Sequence, residues 1–267
     1  MKFNGVLLAI CLLLPPGAAM AHPGADSRVA RLTHLIEDNP GQQQLFILRG
    51  GIHSHEGDWQ LAEQDFERAQ SLGDSADAEF EWGLLHYRRG DYVQARQALS
   101  RYLHKYPDHG QALLYKARAA QEMGDAQSAV VDFLAYIATA EAPQPGDILA
   151  AAELLAEKSA DGINRAVDLL DRGMSQLGVQ PQLQRYAIAL ELKRGETALA
   201  VERCQTLEAG LGSSPHWKFE MAQLLLLDNR GREAWLLLNQ AEVQLGQLRP
   251  TPARRALNRS IEELKLS

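Results

Sequence analysis

Cysteine is nearly absent from this chain: there are two in 267 residues, Cys11 and Cys204. Cys11 sits in an N-terminal apolar run, so once a leader is removed Cys204 stands alone. No internal disulfide can form, and stability must come from packing. Long apolar runs are also missing. Val6–Leu14 is well short of the ~20 residues that span a bilayer, and Leu224–Leu227 is shorter still. Positive charge is in deficit, with 27 Lys and Arg against 34 Asp and Glu, a net charge of −7 and no basic tract. That balance argues against nucleic acid as a partner. The chain has no Gly-x-Ser-x-Gly elbow, no Cys-x-x-Cys and no His-Glu-x-x-His. The expectation is a chain that is not an enzyme, with no catalytic residue, no metal ligand and no cofactor assigned.

The N-terminus is expected to be a leader. Lys2 supplies the positive start, Val6–Leu14 the short apolar core, Pro15-Pro16-Gly17 the break, and Ala19-Met20-Ala21 a small-x-small cleavage site. Residues 1–21 then form a signal peptide, and the mature chain begins at His22 with a charge of −8. No membrane span remains after cleavage. Ile10 before Cys11 argues against lipid attachment, because a small residue is wanted there. The expected location is secreted, in a bacterial periplasm.

What the chain does have is a repeat. Gly57-Asp58-Trp59-Gln60-Leu61-Ala62 returns as Gly90-Asp91-Tyr92-Val93-Gln94-Ala95, then as Gly124-Asp125-Ala126-Gln127-Ser128-Ala129, and more weakly as Gly195 to Ala200. The first step is 33 residues and the second 34. Ala166, Ala200 and Ala234 keep the 34-residue step where the motif fades. A period of this size means one helical hairpin stacked many times, each unit burying its apolar face against its neighbours. Residues 22–42 read as a tail and a short helix capped by Ser27, and 43–142 as three well-formed units. Residues 143–247 read as three degenerate units, and 248–267 as a capping helix packing through Ala256, Ile261 and Leu264. Ala142 to Gly146 lengthens one loop. Gly50 and Ala62 are expected to let paired helices approach closely, and Gly231 to lie in the shortened turn of the last unit.

These residues resemble the tetratricopeptide repeat over roughly 43–247. Gly83, Gly90-Asp91-Tyr92, Ala95 and Pro107 carry most of the signature, while Phe46 and Leu113 stand where tryptophan is usual. Tyr102 and Tyr136 replace second-helix alanines. The resemblance implies an all-α, right-handed superhelical solenoid of about six helical hairpins whose first helices line a concave groove. It also implies a non-enzymatic adaptor or scaffold for a protein or peptide partner. The groove face would be Phe80, Leu84, Tyr87 and Arg88 in the second unit, Gln111, Tyr115, Arg118 and Gln121 in the third, and Arg185, Tyr186 and Lys193 in the fifth. Aromatics beside arginines are common interface anchors. An envelope or cytochrome assembly factor is a variant of the same reading.

The rival class is a metal-handling protein using the amine and imidazole of His22. His53 and His55 cannot share an ion on a helix, since residues two apart point about 200° from each other. His53 and His86 hold equivalent places in successive repeats, which suggests packing or a hydrogen bond. Gly210–Pro215 reads as a helix-to-helix loop, since a phosphate loop needs a lysine and a preceding strand. Glu63, Asp65 and Glu67 read as a solvated helix face, and Cys204 as a small buried hydrophobe.

Overall fold

The computed structural model describes residues 24–73, 75–157 and 159–266; the leader, its cleavage site and His22 lie outside them. Fifteen helices and no strand are present among the described residues. The chain divides into two compact units, one ending at Pro107 and one starting at Asp108. The first holds α1 (Ala25–Asp38), α2 (Gln43–Glu56), α3 (Trp59–Leu72), α4 (Ala76–Arg89) and α5 (Tyr92–Lys105). The second holds α6 (Gly110–Glu122), α7 (Ala126–Thr139), α8 (Pro145–Ala156), α9 (Ala160–Leu177), α10 (Pro181–Arg194) and α11 (Thr197–Gln205). It continues with α12 (Glu208–Leu211), α13 (Pro215–Leu227), α14 (Gly231–Gln247) and α15 (Pro252–Leu266). The hairpins are α2/α3, α4/α5, α6/α7, α8/α9, α10/α11 and α13/α14.

The Gly-Asp turns join the two helices of a hairpin. Gly90 ends α4 in the left-handed region at φ 83°, where a side chain would be strained. This lets the Asp91 N–H donate to the His86 carbonyl at 2.8 Å and the Gly90 N–H to the Tyr87 carbonyl at 3.1 Å. Those bonds satisfy carbonyls that a helix end leaves open. The last hairpin makes the same turn two residues before Gly231. Asn229, not Gly231, takes the left-handed position at φ 60°, and the Arg230 N–H donates to the Leu225 carbonyl at 2.8 Å. Gly231 is already the first residue of α14. Asparagine tolerates this conformation better than most side chains.

The periodic alanines are the innermost residues. Ala62, Ala95, Ala129, Ala166, Ala200 and Ala234 all have 0% exposure. One helical turn later, Phe66, Leu99, Phe133, Leu170, Cys204 and Leu238 form a second buried column. Cys204 therefore occupies an ordinary core position of the repeat, and burial pushes its thiol up to about 11. Small residues on the facing helices allow this packing. A β-carbon on Gly50 would lie 2.5 Å from the Phe66 ring, and one on Gly83 would lie 2.5 Å from Leu99 Cγ. In the second unit one apolar cluster runs from Ala117 on α6 to Leu190 on α10, through the segment that carries Pro143 to Gly146.

Four local expectations are corrected. Ser27 lies inside α1, which starts at Ala25; its hydroxyl donates back to the Gly24 carbonyl at 2.9 Å instead of capping the helix. Asp65 is buried and ion-paired, not solvated. The expected helix-to-helix loop Gly210–Pro215 is cut short: the second helix of the fifth hairpin ends at Gln205, the Thr206 hydroxyl donates to the Arg203 carbonyl at 2.8 Å, α12 takes in Gly210 and Leu211, and Pro215 opens α13. The face of α15 that packs is Leu257, Ile261 and Leu264, while Ala256 is exposed. Ala256 is five residues from Ile261, about 140° around the helix at 3.6 residues per turn.

Candidate partner surface

Two hollows are built from first helices, and both follow the repeat register. In the first unit, α2 and α4 border a hollow of about 490 Å³. Its lining pairs equivalent positions 33 residues apart: Gln44 with Asp77, Ile47 with Phe80, Leu48 with Glu81, Gly51 with Leu84, and His55 with Arg88. Arg28 of α1 also contributes. In the second unit, α10 and α13 border a hollow of about 400 Å³. Here the step is 35: Arg185 with Glu220, Ile188 with Gln223, Ala189 with Leu224, and Leu192 with Leu227. Cys204 also lines it. The register places side chains from neighbouring first helices shoulder to shoulder, so one face of each hairpin contributes the same row.

The first hollow mixes apolar surface with fixed charge. Leu48 is 49% exposed although it is a large apolar side chain. Phe80 packs on Tyr102 with ring centroids 5.0 Å apart. Arg88 Nη1 donates to the Ser54 hydroxyl at 2.8 Å, and Ser54 is fully buried, so the guanidinium is anchored at one corner. Burial pushes the Glu81 carboxyl above its ordinary value; Arg88 opposes this and Asp77 adds to it. A carboxyl held that way is costly to keep ionised and is eased by a donor or cation from outside.

The expected groove residues are brought together in part. Phe80, Leu84 and Arg88 share the first hollow, with Leu84 almost entirely buried in its floor. Tyr87 leaves it and packs on Tyr92, with centroids 5.7 Å apart. In the second unit Gln111 and Gln121 are exposed on α6. Arg118 stacks near Tyr115 at 5.9 Å and donates to Asp147 at 2.7 Å, so it is already tied to α8. Arg185 borders the second hollow and pairs with Glu220 at 3.2 Å. Tyr186 packs against the core instead, and burial raises its hydroxyl, helped by Glu153 and Glu157. Lys193 is exposed. Sequence reasoning missed Leu48, Ile52, His55 and Glu81, which the 33-residue register applied to α2 and α4 would have supplied.

Histidine equivalence also has a geometric form. His53 Nδ1 lies 3.7 Å from the Asp58 carboxylate and His86 Nδ1 lies 3.6 Å from that of Asp91, each at the turn of its own hairpin. No group of three His, Cys, Asp or Glu able to hold a metal ion occurs among the described residues. No helix among them is long and apolar enough to cross a membrane.

Residues 77–109 match a family described as Tetratricopeptide repeat. No curated protein matches the chain. Among solved structures, pilF of Pseudomonas aeruginosa is 18% identical with a TM-score of 0.53, over 75% of this chain and 90% of that one. A MamA protein is 14% identical with a TM-score of 0.52, over 66% of this chain and 98% of that one. The Naa15/Naa10 complex bound to HypK-THB is 14% identical with a TM-score of 0.53, over 91% of this chain but only 39% of the matched chain. At these identities the likeness is one of fold: stacked helical hairpins.

Proposed function

We propose that this chain, which belongs to the tetratricopeptide-repeat family, is a non-enzymatic adaptor of the bacterial periplasm that holds a protein or peptide partner against its first-helix faces. The observation that carries the reading is the α2–α4 hollow. Two successive first helices there leave Leu48 and Phe80 open beside an anchored guanidinium, Arg88, and a partly desolvated carboxyl, Glu81. Apolar area gives a partner side chain somewhere to bury, and fixed polar groups set its register. A peptide backbone N–H near Glu81 would relieve the carboxyl, and a peptide carbonyl would accept from the Arg88 guanidinium. The α10–α13 hollow, with Ile188, Leu192, Leu224 and Leu227, provides the same construction in the second unit.

Export rests on the sequence: Lys2, the apolar run Val6–Leu14 and Ala19-Met20-Ala21. Mass spectrometry of the protein recovered from its host tests this part, with an N-terminus at His22 expected and an intact Met1 against it. Partner holding is tested by charge insertion on opposite faces. Leu48→Asp with Phe80→Glu should abolish co-purification of the partner, while Leu61→Asp with Val93→Asp, on the second helices, should leave it intact. The reverse pattern would place the working surface on the second helices.

A further inference from the structure

We infer that the α14–α15 end of the chain is a separate docking site for an acidic peptide segment of a partner protein. It is independent of the first-helix surfaces.

The last 20 residues reverse the charge of the protein. They hold Arg249, Arg254, Arg255, Arg259 and Lys265 against Glu262 and Glu263, in a chain whose net charge is −7. Of the eight arginines between Asp108 and Gln247, five are ion-paired with carboxylates: Arg118 with Asp147, Arg185 with Glu220, Arg194 and Arg203 with Glu191, and Arg230 with Glu233. Among the described residues none of Arg249, Arg254, Arg255 and Arg259 has such a partner. Arg254 instead donates through Nη1 to the Arg249 carbonyl at 2.8 Å. Two of the four, Arg254 and Arg255, fall among the first four residues of α15, where the helix dipole opposes positive charge. Stability alone does not account for that placement.

The arginines border a hollow of about 740 Å³ between α14 and α15. Leu245, Pro250 and Pro252 give it apolar surface, and Arg254, Arg255 and Arg259 line it. Its one carboxylate, Glu242, is neutralised by Lys265, whose Nζ lies 2.6 Å from Oε2. What faces an incoming ligand is therefore cationic with an apolar floor. Guanidinium forks match carboxylates in a bidentate manner, and the floor takes an apolar side chain between them. This complementarity fits a short peptide that alternates acidic and apolar residues.

The test uses the full folded chain and a random twelve-residue peptide library displayed on phage. Selection should enrich Asp- and Glu-containing peptides with interspersed apolar residues. Fluorescence anisotropy with an enriched peptide should give an affinity that falls as salt rises. Arg255→Glu with Arg259→Glu, checked as folded by circular dichroism, should weaken that affinity by at least about tenfold, and Leu48→Asp with Phe80→Glu should not change it. Loss only in the latter variant would assign the peptide to the first-helix face and overturn this proposal alone. No acidic enrichment, equal binding by the arginine variant, or stronger binding to phosphatidylglycerol vesicles than to the peptide would also overturn it.

Discussion

Arg49 forks onto Asp65, with Nε 2.8 Å from Oδ2 and Nη2 2.6 Å from Oδ1, and ties the first helix of its hairpin to the second. Two units of the repeat later, Lys116 reaches Asp132 at 2.7 Å across the same sixteen-residue separation. Both carboxylates are buried, and hydrogen bonding to Asp65 holds the Arg49 guanidinium above its ordinary value. The intervening hairpin has Trp82 and Ala98 at these positions, so the clasp is a repeat feature that one unit has exchanged for apolar packing.

Removing one partner leaves a desolvated charge behind, which costs more than the pair is worth. Asp65→Ala is expected to destabilise by about 3 kcal/mol, and Asp132→Ala by a similar amount. Urea unfolding followed by far-ultraviolet circular dichroism checks this. An unchanged midpoint would mean that Arg49 relaxes into water at no cost.

The alanine column predicts intolerance to added volume. Ala95 is fully buried, and Gly83 leaves no room beside Leu99. Ala95→Leu should destabilise by roughly 1–3 kcal/mol through overpacking. Ala256→Leu, on the exposed side of α15, should be nearly neutral in the same urea titration.

These residues also show what the sequence makes legible. The 33–34 residue spacing, with small residues at fixed offsets, is enough to place the hairpins, because a close helix contact admits few side chains. Asp65 was misread because carboxylates are usually solvated, and only a partner sixteen residues upstream on another helix explains its burial. Ala256 was misread because helix rotation is set by tertiary packing. The groove was half legible. Phe80 and Arg88, placed on the first-helix face by family geometry, border the α2–α4 hollow. Tyr87 and Arg118 turned out to be engaged with Tyr92 and with Asp147, which residue type alone does not reveal.

Glu81 gives a pH signature. Its carboxyl is raised in the folded protein, so the folded state binds the proton more tightly than the unfolded state does. Stability is therefore fully present below the ordinary glutamate value and is lost as pH rises through the raised one. Glu81→Gln should be more stable than the parent near neutral pH, and the two should converge in acid. Thermal unfolding across that range measures it; parallel curves would contradict the assignment.

Cys204 should behave as core. With its thiol pushed up to about 11 by burial, folded protein at pH 8 should resist iodoacetamide, and urea-unfolded protein should react quickly. Rapid alkylation of the folded chain would show that the α10–α13 hollow opens down to the sulfur.

The central claim is that first-helix faces hold the partner, and site-specific photocrosslinking in the native host tests it most directly. A photoreactive residue is placed singly at Leu48, His55 or Phe80, which line the α2–α4 hollow, and at Leu61, Val93 or Val131, which are exposed on second helices. The account predicts one discrete crosslinked product shared by the first three positions and none from the last three. A product confined to Leu61, Val93 or Val131 would contradict it.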